Sequence, residues 1–152
     1  MTASFLILET GRPIASMRRH GGFDHWIRVA AGLRASAVDT VDAQSGAALP
    51  NPADRIGVIV TGSGAMVSDR EPWSERAAQW LKDAVDSGVP VFGICYGHQL
   101  LAHALGGEVT DNPAGRGMGT VQVKTTGGAA TDPLFADLPS PFAAQVTHLQ
   151  SV

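Results

Sequence analysis

The feature that most constrains the fold of this chain is a cysteine between two glycines at the end of an apolar run. Cys95, the only cysteine, lies in Gly93-Ile94-Cys95-Tyr96-Gly97 and follows Val89-Pro90-Val91-Phe92. The residues after it, from Gln99 to Leu105, predict a helix. A strand that turns into a helix through such a segment is typical of a nucleophile elbow, where only small neighbours fit. The helix N-terminus favours the thiolate, so the pattern predicts a catalytic nucleophile rather than an inert cysteine.

Apolar runs that alternate with helical patterns predict an α/β fold with a parallel sheet. We predict helices over Phe23–Arg34 and from Pro72 to a stop at Gly88, and a loop over Gly11–Gly22. The predicted strands are Phe5–Leu8, a weak one at Ala37–Val41, Ile56–Val60, the run before Cys95, Gly119–Thr125 and Phe142–Thr147.

A second glycine-rich turn, Gly62-Ser63-Gly64, follows the predicted strand Ile56–Val60. The carboxyl ends of parallel strands meet at one edge of a sheet, so we expect this turn to lie near Cys95. An oxyanion needs backbone donors, and the amide of Tyr96 together with one from the turn would supply them. The turn does not fit a dinucleotide site, because Val67 stands where the third glycine of that motif belongs.

Composition excludes several other classes of function. The net charge of −3 over 152 residues argues against a nucleic-acid partner, whose binder would be basic. One cysteine excludes an internal disulfide, and the histidines lack the spacing of a zinc site, so we predict no metal. No signal peptide or membrane span is seen, and a reducing, cytoplasmic location is expected.

The motifs around Cys95 resemble those of the class I, triad-type glutamine amidotransferases. That family reads G-[IV]-C-x-G-x-Q before a helix ending in L-G-G, as do Gly93–Gln99 and Leu105-Gly106-Gly107. Further along, Gly115–Gly119 resembles its G-R-E-x-G segment and His148–Val152 its H-x-[DQ]-x-V segment. The opening Leu8-Glu9-Thr10-Gly11 is most similar to the stand-alone, GMP-synthase-like branch.

The resemblance implies a flavodoxin-like fold, an open and mostly parallel sheet with helices on both faces. It also implies hydrolysis of the glutamine side-chain amide, with Cys95 as the nucleophile and the amides of Tyr96 and Ser63 as the oxyanion hole. No cofactor would be needed, and ammonia would pass to a synthetase domain or subunit. The residues that would help to hold the glutamine are Gln99, Gly62, Leu149 and Gln150.

The chain also departs from the family pattern. Gly117 stands where glutamate is frequent, and Ser63-Gly64 replaces a Gly-Pro pair. The His-x-Glu pair that completes the family's triad is absent, since His148-Leu149-Gln150 matches an upstream segment instead. We therefore expect residues 1–152 to be an incomplete, N-terminal portion of the amidotransferase domain. The alternatives are a γ-glutamyl peptidase or hydrolase of the same fold and a catalytically inactive regulatory or scaffold domain.

Overall fold

The computed structural model describes residues 4–152 of the chain. The chain forms two compact units, the first running to Thr110 and including Gln150–Val152, the second spanning Asp111–Leu149. Two short strands, β5 (Thr110–Asp111) and β8 (Gln150–Ser151), mark the places where the chain leaves the first unit and returns to it. No helix within residues 4–152 combines the length and the apolar character that crossing a bilayer requires.

A four-stranded parallel sheet forms the centre of the first unit, as the apolar runs predict. Its strands are β1 (Ser4–Glu9), β2 (Val38–Asp42), β3 (Arg55–Val60) and β4 (Val91–Gly93), in the order β2-β1-β3-β4. The central strand β1 pairs with β2 and β3, which aligns Leu8 with both Val41 and Val60. Leu6, Ile7 and Leu8 are fully buried, as expected of a parallel strand covered on both faces.

Three helices accompany the sheet: α1 (Phe23–Ala30), α2 (Pro72–Asp86) and α3 (Tyr96–Ala104). The prediction for α2 is confirmed, including its end at Gly88. The predicted helix Phe23–Arg34 is too long, because Gly32 adopts a φ of 65° and the amide of Leu33 donates to the carbonyl of Arg28. These are the features of a Schellman motif, which closes a helix. The predicted loop Gly11–Gly22 contains a 3₁₀ helix over Ala15–His20.

The core of the first unit joins one set of sheet side chains to α2 and α3. Leu6 and Leu8 on β1 and Val58 and Val60 on β3 belong to a single buried cluster. The helices contribute Ala77, Trp80, Leu81, Ala84, Tyr96 and Leu100 to the same cluster. Each fully buried aliphatic side chain stabilises the fold by about 1.5–3 kcal/mol.

The second unit is built on an antiparallel pair of strands, β6 (Gly117–Val123) and β7 (Phe142–His148). Both strands are predicted, with their ends displaced by up to two residues. The pairing places Gly117 opposite His148. A methyl group on Gly117 would lie 2.7 Å from Nε2 of His148, so a side chain there would force the imidazole to move.

Candidate active site

Cys95 occupies a sharp turn between β4 and α3. Its φ of 53° and ψ of −110° are unusual for a residue with a side chain, and the residue is exposed. A methyl group on Gly93 would lie 2.5 Å from the carbonyl carbon of Gly97, and one on Gly97 would lie 2.5 Å from the carbonyl oxygen of Val60. Both distances are far below van der Waals contact, so the turn requires glycine at both positions.

The turn Gly62-Ser63-Gly64, at the carboxyl end of β3, lies beside this elbow, as the sequence predicts. A methyl group on Gly62 would be 3.6 Å from Cβ of Cys95. The Oγ of Ser63 accepts a 3.1 Å hydrogen bond from the amide of Ala65, which fixes the next residues of the turn. The two motifs are therefore neighbours at one edge of the sheet.

A pair of buried threonines, which the sequence analysis did not single out, holds the turn in place. The amide of Thr10 donates to Oγ1 of Thr61 at 3.0 Å, and Oγ1 of Thr10 donates to the carbonyl oxygen of Thr61 at 2.7 Å. Both side chains are fully buried. These bonds join the ends of β1 and β3, so the position of the turn is set by the sheet.

The two predicted oxyanion donors are the backbone amides of Ser63, in the turn after β3, and of Tyr96, the first residue of α3. Among the hydrogen bonds of residues 4–152, neither amide has an acceptor. Tyr96 opens α3, where the first amides of a helix lack intrahelical partners. Both donors are thus available to a ligand at the elbow.

The side chain of Tyr96 anchors the start of α3 within the core. Its hydroxyl lies 2.7 Å from Oγ of Ser74 on α2, and its ring stacks against Trp73 with the centroids 5.7 Å apart. Burial, the largest influence, raises the pKa of the phenol, so Tyr96 stays neutral. This anchor fixes the first residue of α3, which carries the predicted donor amide, against α2.

Gln99 and Gln150, both predicted to hold the substrate, are brought together. The side-chain Nε2 of Gln99 donates to the carbonyl oxygen of Gln150 at 2.7 Å. The Gln150 side chain accepts from the amide of Val67 at 3.0 Å and donates to Oγ of Ser68 at 2.7 Å. Both glutamines are buried, whereas Leu149 is 40% exposed and belongs to the second unit. The structure therefore gives the two glutamines a packing role, and their contact with substrate stays a prediction.

His103 of α3 is engaged with α2 rather than with the elbow. His103 lies 3.0 Å from Oε1 of Glu75 on α2, but it is eight residues beyond Cys95, about 12 Å along a helix. His148 belongs to β7 in the second unit. Among residues 4–152, no three His, Cys, Asp or Glu side chains are grouped so that they could hold a metal ion.

An open cavity of about 580 Å³ borders the Ser63 turn. Its lining includes Ser63, Gly64 and Ala65 of the turn, the loop residues Gly11, Arg12 and Arg18, and Asp42, Gln44, Glu71 and Trp73. The loop is closely packed on the turn, since a methyl group on Gly11 would lie 2.8 Å from Cα of Ser63. Both arginines lie in the predicted loop Gly11–Gly22, for which no function was predicted.

Curated relatives match one part of the chain. GMP synthase [glutamine-hydrolyzing] of Thermomicrobium roseum is 42% identical over 93 residues, which cover 60% of this chain and 16% of the relative. The Vibrio atlanticus protein of the same name is 41% identical over 92 residues, with the same two shares. The match therefore spans only a small part of either relative.

Solved structures of low sequence identity share the fold. A glutamine amidotransferase of Methylobacillus flagellatus superposes with a TM-score of 0.72 at 24% identity, over 99% of this chain and 57% of that one. One of Thermotoga maritima gives a TM-score of 0.75 at 19% identity, over 99% and 63% of the two chains. The sequence profile named glutamine amidotransferase class-I matches residues 10–152. Elbow, fold and profile agree: the chain belongs to the class-I glutamine amidotransferase family.

Proposed function

We propose that the chain carries the glutaminase site of an amidotransferase and that Cys95 is its nucleophile. The observation that carries this proposal is the conformation of Cys95, a strained and exposed cysteine beside two available backbone amides. Strain of this kind costs of the order of 1–3 kcal/mol and is concentrated at functional sites. A cysteine with no chemical role would gain nothing from this strained backbone conformation.

In the proposed reaction, the sulfur of Cys95 bonds to the side-chain carbonyl carbon of glutamine. The oxyanion that forms accepts hydrogen bonds from the amides of Ser63 and Tyr96. The carbon–nitrogen bond then breaks, the thiol proton passes to the nitrogen, and ammonia leaves a γ-glutamyl thioester on the sulfur. Water cleaves the thioester, which releases glutamate and restores the thiol. These steps require no cofactor, and the proton transfers call for a general base, which the family resemblance assigns to a His-x-Glu pair that residues 1–152 do not contain.

We also propose that the ammonia is passed to a synthetase domain or subunit in the cytoplasm. The curated relatives are named as glutamine-hydrolysing GMP synthases, which supports a partner of the synthetase type. The chemistry of Cys95 does not depend on which substrates that partner uses. The glutaminase site can therefore be tested in the absence of the partner.

The test is labelling of Cys95 with an electrophilic chloroketone analogue of L-glutamine, followed by mass spectrometry of the intact chain. A single adduct at Cys95 is expected. A site shaped for the substrate should label at least about tenfold faster with the L than with the D analogue, a difference of about 1.4 kcal/mol.

The matched control is Cys95→Ser, which keeps a side chain of similar size on the strained backbone and should take up no label. Competing L-glutamine should slow the labelling of the original protein. Equal rates with the two enantiomers, together with no protection by glutamine, would favour the inactive regulatory or scaffold domain and contradict the proposal.

A further inference from the structure

The peptide bond between Gly62 and Ser63 carries one of the two predicted oxyanion donors, the amide of Ser63. This peptide is trans, so its carbonyl oxygen, on Gly62, and its N–H, on Ser63, point in opposite directions. The peptide adjoins the elbow, because a methyl group on Gly62 would lie 3.6 Å from Cβ of Cys95. Whatever holds the carbonyl oxygen of Gly62 therefore also sets the direction of the Ser63 amide.

The carbonyl oxygen of Gly62 faces the two buried threonines. It lies 3.1 Å from Oγ1 of Thr61 and 3.4 Å from Oγ1 of Thr10. The amide of Ser63 consequently points away from the threonine pair, and among the hydrogen bonds of residues 4–152 it has no acceptor. This orientation of the peptide is the one that leaves the amide available to an oxyanion.

The protons of the threonine pair can be assigned, because each hydroxyl has only one. Thr10 donates its proton to the carbonyl oxygen of Thr61 at 2.7 Å, which is much closer than the carbonyl oxygen of Gly62. Oγ1 of Thr61 accepts from the amide of Thr10 at 3.0 Å. Its own proton has the carbonyl oxygen of Gly62 at 3.1 Å as the nearer acceptor, since Oγ1 of Thr10 is 3.3 Å away. Thr61 is thus the residue that donates to the Gly62–Ser63 peptide, and Thr10 holds Thr61.

Gly11, the residue after Thr10, packs against the same peptide. A methyl group on Gly11 would lie 2.8 Å from Cα of Ser63 and 3.0 Å from the carbonyl oxygen of Gly62. Both are backbone atoms, which cannot turn aside as the end of a flexible side chain can. The absence of a side chain at Gly11 therefore leaves the carbonyl oxygen of Gly62 the room it needs beside the threonines.

We propose that Thr61 is a positioning residue of the oxyanion hole, whose hydroxyl holds the Gly62 carbonyl oxygen inward so that the Ser63 amide stays turned to the substrate. This inference rests on the proposed function of Cys95 and adds a residue that acts through the backbone rather than on the substrate. Without the Thr61 hydrogen bond the peptide is free to rotate, which turns the carbonyl oxygen of Gly62 outward. The developing oxyanion then meets lone pairs where it needs a donor.

The test compares the rates at which two reagents label Cys95. The chloroketone analogue of L-glutamine places its ketone oxygen where the amide oxygen of glutamine would lie, so its rate depends on the oxyanion donors. Iodoacetamide alkylates the same sulfur without being held as glutamine is, so its rate reports on the exposure and ionisation of the thiol. The ratio of the two rates therefore separates the oxyanion hole from a general disturbance of the elbow, which would affect both reagents.

Thr61→Val should lower this ratio at least about tenfold, because valine has the shape of threonine but no hydroxyl to donate. Thr61→Ser keeps the hydroxyl and should hold the ratio within about threefold of the original. Thr61→Val also leaves the amide of Thr10 without its acceptor, which destabilises the chain. The matched control for that loss is Trp80→Phe, which removes the 2.6 Å hydrogen bond from Nε1 of Trp80 to the carbonyl oxygen of Pro50 and should leave the ratio unchanged.

Gly11→Ala disturbs the same peptide while both threonine hydroxyls remain, and it decides the question if Thr61→Val does not fold. The added methyl group would displace the carbonyl oxygen of Gly62, so the ratio should fall at least about threefold. Circular dichroism of each variant checks that the fold is kept.

The outcomes separate the role of Thr61 from the proposed function. If the original protein prefers the L chloroketone but Thr61→Val leaves the ratio unchanged, the positioning role is overturned while the glutaminase proposal stands. The same holds if Thr61→Ser or Trp80→Phe lowers the ratio as much as Thr61→Val does. If the L and D chloroketones label the original protein at equal rates, the proposed function fails, and the role of Thr61 fails with it.

Discussion

At the scale of single residues, the sharp turn at Cys95 depends on the absence of a side chain at two glycines. Gly93 and Gly97 leave no space for a methyl group, since their nearest neighbours are backbone atoms that cannot turn aside. The sulfur of Cys95 is consequently positioned by two residues that have no side chain. Stability measurements at these positions therefore report directly on the geometry of the site.

We expect Gly97→Ala to lower the free energy of unfolding by at least about 2 kcal/mol, because its methyl group would lie 2.5 Å from the carbonyl oxygen of Val60. Urea denaturation would measure the loss. Gly64→Ala is the matched control, since nothing lies within 4 Å of a methyl group there. Its effect should stay within about 0.5 kcal/mol, and an equal loss in both variants would contradict the argument.

A second residue-scale prediction concerns Glu9, at the end of β1. Burial, followed by the charges of Asp24 and Asp42, raises the pKa of this carboxyl in the folded protein. The folded state therefore binds the proton more tightly than the unfolded state, and Glu9 costs stability as the pH rises from its ordinary pKa through the raised one. Glu9→Gln should consequently stabilise the protein at neutral pH.

The gain from Glu9→Gln should fade as the pH falls below the ordinary pKa of a glutamate, where both states are protonated. Thermal unfolding of the original protein and of Glu9→Gln between pH 3 and 8 would measure how their stability difference depends on pH. The carboxylate also accepts a hydrogen bond from the amide of Asp24 in the first turn of α1, which opposes the shift. A constant difference across the whole range would indicate that this bond, rather than the charge, decides the effect.

At the scale of elements, α2 and α3 are joined by one buried hydrogen bond as well as by apolar packing. The hydroxyl of Tyr96 lies 2.7 Å from Oγ of Ser74, and both residues are buried. Tyr96→Phe leaves the serine hydroxyl without its partner and should cost about 1–3 kcal/mol.

A double-mutant cycle of Tyr96→Phe with Ser74→Ala would isolate this bond. The double variant should be nearly as stable as either single one, with a coupling of about 1–3 kcal/mol between the sites. Additive losses would show that the two hydroxyls act independently.

The strands and helices could be predicted from the sequence wherever neighbouring residues alone determine them. The apolar runs that became β1 and β3, and the Pro72 and Gly88 limits of α2, need only neighbouring residues. The end of α1 was predicted wrongly, because the apolar spacing continues past Gly32, where the left-handed backbone stops the helix. A glycine inside a periodic pattern can be tolerated or can end the helix, and the pattern does not distinguish the two.

The site was predictable to a similar extent. The cysteine, the glycines and the Ser63 turn are visible as local patterns at the ends of strands. The Thr10–Thr61 pair is not, because its members lie 51 residues apart and no local pattern shows that they meet. The cavity likewise depends on side chains from four separate segments, which only the folded chain brings together.

At the scale of the whole molecule, Gln150 ties the returning chain to the first unit. Its side chain accepts from the amide of Val67 and donates to Ser68, and its carbonyl oxygen accepts from Gln99. Gln150→Leu keeps the volume but leaves the Val67 amide unpaired and should cost about 1–3 kcal/mol.

Hydrogen exchange at the Val67 amide would test this contribution, because its protection should fall in Gln150→Leu together with the free energy of unfolding. Leu149→Ala, at the exposed position next to it, is the matched control and should change both quantities little. Unchanged protection in Gln150→Leu would show that the chain end contributes nothing to the first unit.

The geometry of the elbow also has a consequence for how this sequence can change. The strain at Cys95 falls on the backbone, so any small side chain there experiences it equally. A library of random variants selected for folding alone should therefore lose substitutions at Gly93 and Gly97 while serine and alanine accumulate freely at position 95. Selection for labelling by a glutamine analogue should instead retain only cysteine at position 95. Substitutions at Gly93 and Gly97 should be lost in this selection as well.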